Sequence, residues 1–161
     1  MRLLASTDIA LRVLMLLGRQ DPGVKLNVER MSGQLGGLSR NHLHKIVQDL
    51  AGLGVLQTVR GAGGGVVLAK PLREVRLGSL VRKLEADQPL VDCFRADGGC
   101  CSLRPECRLR AMLRSAREAF YEALDAHTLA DCVAGRWFEP SGAAAGRGSK
   151  SIRRRAGAVP A

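Results

Sequence analysis

Aromatic side chains are scarce: three Phe, one Tyr and one Trp make up 3% of the 161 residues. Proteins that hold single-stranded nucleic acid stack its splayed bases on such rings, so this chain is not expected to be one of them. Acidic residues are outnumbered, 15 against 25 Lys and Arg, which leaves a formal charge of +10 and a pI near 10.3. That balance favours a polyanionic partner, and double-stranded DNA is the first candidate. Long apolar runs are missing too. Ile9 to Gly18 is the most apolar stretch, and Arg12 interrupts it. A membrane-spanning helix needs roughly twenty apolar residues. Asp8 and Arg12 also break any apolar core of a secretory signal, and no small-residue cleavage site follows. The expectation is a cytoplasmic protein with no membrane partner.

Catalytic signatures are equally lacking. No Gly-x-Ser-x-Gly elbow, Walker loop or paired-carboxylate pattern occurs. The glycine cluster Gly61–Gly65 has no Lys-Ser/Thr to make it a phosphate cradle. An enzyme is not expected.

Cysteine, by contrast, is concentrated. Four of the five, Cys93, Cys100, Cys101 and Cys107, fall within fifteen residues. In a reducing compartment that density points to metal or redox chemistry rather than to disulfides. Cys132 sits on an apolar helical turn and is expected to be a plain buried thiol.

The hydrophobic pattern divides the rest. Ile9, Val13, Leu16 and Leu17 predict a first helix over 6–19, capped by Ser6 or Thr7 and ended at Asp21-Pro22-Gly23. Val28, Met31 and Leu35 mark a second, stopped at Gly36-Gly37. A third, with Ser39 as N-cap, runs to about Ala51 through Leu43, Ile46, Val47 and Leu50. Two helices about a tight glycine turn make a helix-turn-helix, the second helix being the DNA-reading one. Residues 55–60 and 66–69 then predict two strands joined by a glycine-rich tip, the wing of a winged helix-turn-helix. Gly78 to Glu85 reads as a fourth helix, and 87–105 has no usable periodicity. Leu109, Met112, Leu113, Ala116, Ala119, Phe120, Ala123 and Leu124 form a long amphipathic stripe, expected to pack on a symmetry mate. Thr128 to Val133 adds one more turn. From Arg136 the composition turns to Gly, Ala, Ser and Arg, with six basic residues and one acid, so +5 of the +10 lies there. The expected organisation is a mainly α chain: a winged helix-turn-helix at 1–85, a cysteine-bearing loop at 86–108, a dimerisation helix at 109–135 and a disordered basic tail at 136–161.

Cys93, Cys101 and Cys107 stand at C-x7-C-x5-C, beside Cys100. Zinc sites usually announce themselves with paired C-x2-C or Cys and His together, and neither occurs here. Three thiolates in an irregular loop suit an iron–sulfur cluster, although zinc or redox-active thiols fit the same loop.

Several separated stretches resemble the NsrR-type nitric oxide sensors, members of the IscR-like winged-helix regulators. They are Thr7-Asp8-Ile9-Ala10-Leu11-Arg12, Ser39-Arg40-Asn41-His42-Leu43, Val59-Arg60-Gly61 with Gly64-Gly65, Leu80-Val81-Arg82-Lys83-Leu84-Glu85, Cys101 through Arg110, and Ala119-Phe120-Tyr121. The likeness covers roughly residues 1–135. It implies a homodimeric transcriptional repressor holding a [4Fe–4S] cluster, with [2Fe–2S] as the alternative. It carries the ligands over to Cys93, Cys101 and Cys107, with Asp8 of the partner chain as the fourth. It also implies nitric oxide as the signal and operator release as the response. Cys100 is an alternative middle ligand, at C-x6-C-x6-C. The IscR type uses a His three residues after its last cysteine, where this chain has Arg110. An iron-, cluster- or redox-sensing regulator of the same fold is the competing expectation. Asp8 has a plainer reading as a charge that complements the first helix's dipole.

For DNA, the third helix presents Ser39, Arg40, Asn41, His42 and Lys45 in its first two turns. Arg pairs bidentately with guanine and Asn with adenine in the major groove. Arg60, beside the wing tip, suits a narrow minor groove. Two-fold symmetry predicts an inverted-repeat operator.

Overall fold

The computed structural model describes residues 2–21, 23–103 and 106–134, so the basic tail expected at 136–161 lies outside the described residues. Helix α1 spans Ala5–Gly18, α2 Val28–Gln34 and α3 Arg40–Gly52. Strands β1 (Leu56–Val59) and β2 (Gly65–Leu68) pair antiparallel, Leu56 opposite Leu68 and Val59 opposite Gly65. Helix α4 spans Leu77–Leu84, α5 Arg108–Asp125 and α6 Leu129–Val133. Among the described residues this is the expected arrangement, a mainly α winged helix-turn-helix followed by an irregular loop and a long helix.

The apolar periodicity fixes which faces meet. Val13, Leu14 and Leu17 of α1, Met31 of α2, Leu43, Ile46 and Leu50 of α3, Leu56 and Val66 of the hairpin and Leu129 of α6 form one core. Burying a large aliphatic side chain of this kind is worth about 1.5–3 kcal/mol. Gly36 and Gly37, at φ 82° and 78°, make the turn between α2 and α3. Two successive left-handed residues there cost a side chain strain that glycine avoids.

The ends of the elements are set by tertiary partners as much as by local caps. Helix α1 starts one residue before the expected cap Ser6, with Leu4 at the N-cap position and no side-chain cap. The Leu4 backbone N–H instead donates to the Glu85 carboxylate, just past α4, at 3.0 Å. Thr7 is buried and its hydroxyl has no hydrogen-bond partner among the described residues. Ser39 does occupy the N-cap of α3, but its hydroxyl makes no cap hydrogen bond. Leu26 bridges to Val66, its N–H donating to the Val66 carbonyl at 3.2 Å and its carbonyl accepting from Val66 at 2.8 Å. The segment before α2 thereby becomes a third rung beside the wing.

Helices α4 and α5 pack closely. Gly78 is buried against α5, and Asp125 accepts from the backbone N–H of Ser79 at 2.6 Å and from its hydroxyl at 3.1 Å. Arg82 lies over the Tyr121 ring, 4.4 Å from its centroid, and pairs with Glu118. That guanidinium holds the Glu118 carboxyl below its ordinary value. Tyr121 is nevertheless the sole buried residue of the 18 in α5. Leu109 and Met112 on its outer side are 60% and 63% exposed.

Helix α6 turns Leu129 into the core and Cys132 outward. The expectation of a buried Cys132 is therefore wrong: the thiol is exposed. Leu129 and, one turn on, Val133, which lies against Gly18 of α1, take the inward face, and Cys132 falls outside it. Partial desolvation and, secondarily, the Asp131 carboxylate push the Cys132 thiol above its ordinary value.

Candidate metal centre and nucleic-acid interface

The cysteine loop leaves α4 and returns at α5. Its one regular feature up to Leu103 is a 3-10 turn over Asp92–Phe94, which carries Cys93. Side chains of α5 pin that turn. Arg110 Nε donates to the Cys93 carbonyl at 3.4 Å, and Arg110 and Arg117 lie 5.8 and 5.0 Å from the Phe94 ring centroid. Cys107 is the N-cap residue of the same helix, so the loop's first and last cysteines both sit against the start of α5.

Between them the chain folds on its own polar groups. Asp92 accepts from the Cys100 backbone N–H at 3.2 Å, and Asp97 accepts from Gly99 at 3.0 Å. Arg95 pairs with Asp97 at 2.8 Å and holds its carboxyl below the ordinary value, with the Gly99 N–H contributing next. Cys93, Cys101 and Cys107 are half-buried, Cys100 is exposed, and all are free thiols. Three thiols on one loop fit an iron–sulfur group in donor chemistry. In this conformation, however, no three His, Cys, Asp or Glu side chains among the described residues converge closely enough to hold a metal ion. Ligation by this set requires the three cysteines to come closer together than they lie here.

Asp8 lies on the exposed side of the first turn of α1. Arg12, one turn on, pairs with it at 2.8 Å and donates a second bond from Nε at 3.1 Å. The plain dipole role expected of Asp8 is thus accompanied by an ion pair, and the carboxylate is half-exposed. Within one chain it is not gathered with the cysteines.

Of the residues expected to meet DNA, Ser39, Arg40, Asn41, His42 and Lys45 are all exposed at the start of α3, and Arg60 is exposed where β1 runs into the wing tip. Leu43, Ile46, Val47 and Leu50 bury the opposite face, which fixes the orientation of the polar one. Asn27 caps α2 by accepting from Arg30 N–H at 2.8 Å. One partner was not anticipated: Arg40 Nη1 lies 2.6 Å from a Glu29 carboxylate oxygen. The two residues are eleven apart in sequence, and only the docking of α2 on α3 brings them together. Arg110 and Arg117 were equally missed as loop anchors, because a basic residue on a long helix gives no sequence signal of a ring beneath it.

The chain matches the sequence profile of the Rrf2 family, described as "Iron-dependent Transcriptional regulator", over residues 3–135. The HTH-type transcriptional regulator NsrR of Geobacillus kaustophilus (strain HTA426) is 45% identical over 136 residues, 84% of this chain and 92% of that protein. The HTH-type transcriptional repressor NsrR of Streptomyces coelicolor is 43% identical over 134 residues, 83% and 89% of the two chains. Among solved structures, oxidised Staphylococcus aureus CymR superposes with a TM-score of 0.64 at 23% identity, covering 84% of this chain and 98% of that one. IscR of T. potens gives 0.64 at 20%, covering 83% and 86%. At such identities the two structures speak for the fold.

Proposed function

We propose, from the premise that this chain belongs to the Rrf2 family of transcriptional regulators, that it is a homodimeric, cluster-bearing repressor responsive to nitric oxide. The family is one of DNA-binding regulators, not of enzymes. Among the described residues no helix is long and apolar enough to cross a membrane. The observation that carries the finer reading is a set of free thiols on one loop, anchored to α5 and joined to a winged helix-turn-helix.

In this reading Cys93, Cys101 and Cys107 hold the group, with Cys100 as the alternative to Cys101 and Asp8 of the second chain completing the set. The group is [4Fe–4S], with [2Fe–2S] as the alternative. When bound it supplies iron that reacts with nitric oxide, and that reaction lowers operator affinity and derepresses nitric oxide detoxification genes. This chain's residues do the rest. Arg110 and Arg117 keep Cys93 and Phe94 on α5, while the outer face of α5, with Leu109 and Met112, packs on a second copy. Asp8 leaves Arg12 to reach the partner's loop. Helix α1 packs against α3 and β2, so a pull on Asp8 is felt by the helix bearing Ser39, Arg40, Asn41, His42 and Lys45, and by the wing bearing Arg60. Operator release needs little, since ~1.4 kcal/mol is tenfold in affinity.

Native mass spectrometry of anaerobically isolated protein, before and after stepwise nitric oxide, tests the proposal. The expected species is a dimer with one cluster per chain that converts to iron-nitrosyl forms. A dimer with zinc, or one without metal and inert to nitric oxide, overturns the sensing function and leaves a winged-helix DNA binder. An Asp8→Ala protein that keeps both its cluster and nitric oxide-sensitive operator binding overturns the cross-chain role of Asp8. The family's description as iron-dependent favours, as a second reading, a regulator that responds to iron supply. Operator binding that follows iron loading and ignores nitric oxide would select it.

A further inference from the structure

We infer that Glu29 is a specificity-determining positioning residue: it holds and neutralises Arg40, so that this arginine reads a guanine edge instead of a phosphate. The inference rests on the operator-binding reading above.

Arg40 is the first residue of α3, and the first turn of a recognition helix is where side chains meet base edges. Its Nη1 donates to a Glu29 carboxylate oxygen at 2.6 Å. Glu29 sits in the first turn of α2, the helix that crosses the DNA backbone in this motif. Both side chains are about two-thirds exposed, at 67% and 65%. An exposed pair adds little to folding stability, so the fold gives no strong reason for the contact. Placed against a polyanion, a lone carboxylate would be repelled; paired with Arg40 it is tolerated.

The pairing changes what Arg40 offers. A guanidinium has five N–H donors in a fixed fork. No other hydrogen bond among the described residues engages its Nε or Nη2. That edge keeps its directional donors, matching the O6 and N7 acceptors of guanine. The net charge of the pair is zero, which removes most of the gain from releasing phosphate counterions. Arg40 is left as a donor array with little long-range pull on phosphate. Lys45, exposed one turn on, has no such carboxylate partner among the described residues and keeps its full phosphate attraction.

The test starts from random-sequence duplex DNA, from which the anaerobically isolated full-length protein selects its preferred sites. Base preference at each position is then compared for the wild type, Arg40→Ala, Glu29→Ala and Glu29→Gln, with Lys45→Ala as the electrostatic control. At the guanine whose preference Arg40→Ala abolishes, Glu29→Ala is expected to lose about fivefold to tenfold of discrimination. Glu29→Gln, which keeps an acceptor oxygen, is expected to retain part of it. In a salt titration Lys45→Ala is expected to reduce the slope by about one, and the double variant Glu29→Ala with Arg40→Ala, which removes a neutral pair, to leave it nearly unchanged. Unchanged discrimination in Glu29→Ala overturns the inference while leaving the operator reading intact. So does a loss spread evenly over all positions, which marks a merely structural role. A wild-type protein that enriches no sequence overturns the operator reading, and this inference with it.

Discussion

Gly78 of α4 lies so close to Tyr121 of α5 that a Cβ built on the glycine meets the Tyr121 carbonyl oxygen and comes 2.9 Å from the Asp125 backbone nitrogen. Both neighbours are main-chain atoms, which cannot swing away as a side chain can. The two helices therefore touch backbone to backbone at this point, and the Asp125 cap on Ser79 depends on the approach.

Helix propensity and packing predict opposite signs for Gly78→Ala. Propensity alone gives a gain of about 1 kcal/mol. The close approach gives a loss of about 3 kcal/mol, the upper end of ordinary overpacking. Urea denaturation of the two proteins decides, and a stabilised variant would refute the contact.

Arg110→Ala should free the cysteine loop without unfolding the protein. The side chain donates to the Cys93 carbonyl and lies over Phe94. We expect amide exchange across residues 92–95 to accelerate about tenfold, which is the loss of ~1.4 kcal/mol of local protection. The thermal midpoint should move by only a few degrees. Exchange rates equal to wild type would mean that Arg117 and the loop's own hydrogen bonds suffice.

These contacts mark where sequence reading stops. The core stripe of α1 and α3 was legible because Ile9, Val13 and Leu17, and Leu43, Ile46 and Leu50, recur at helical spacing. The wing was legible because β-branched runs flank a glycine cluster. Positions that depend on a second element were not. Ser6 looks like a cap, yet Glu85 from beyond α4 sets the entry of α1. Cys132 looks inward on a helical wheel, yet the docking of α6 turns Leu129 and Val133 inward and leaves Cys132 outside. The cysteines were conspicuous as a cluster, but their loop is aperiodic, and its Asp92–Cys100 hydrogen bond follows no pattern that sequence spacing reveals.

The outer face of α5 should govern assembly. Met112 is 63% exposed within one chain, so Met112→Glu costs the isolated fold little. In a dimer packed on that face it buries an unpaired charge. We expect self-association to weaken at least about tenfold, read by sedimentation equilibrium, with far-ultraviolet circular dichroism unchanged. A variant that stays as dimeric as wild type would place the interface elsewhere.

Acid should fray α6 first at its start. Thr128 donates to Asp131 from its backbone N–H at 2.7 Å and from its hydroxyl at 2.9 Å. The first and then the second of these hold the Asp131 carboxyl below its ordinary value. A carboxyl lowered by folding stabilises the fold above its unfolded value, near 4, and the contribution fades as pH falls through the lowered value. The stability gap between wild type and Asp131→Asn should therefore be constant from neutrality to about pH 5 and shrink below about pH 4. Urea titrations at pH 7, 5 and 3 measure it. A gap that persists undiminished at pH 3 would sink the assignment.

The rung between Leu26 and Val66 fastens the lead-in to α2 onto the second strand of the wing. The lead-in to the helix-turn-helix and the wing that carries Arg60 are thereby bolted to a common chassis. If α3 and the wing carry the operator contacts proposed above, a tilt of the helix-turn-helix moves the wing with it, and the two sets of contacts are expected to be lost together. Dissociation from an operator is then expected to be concerted and not stepwise.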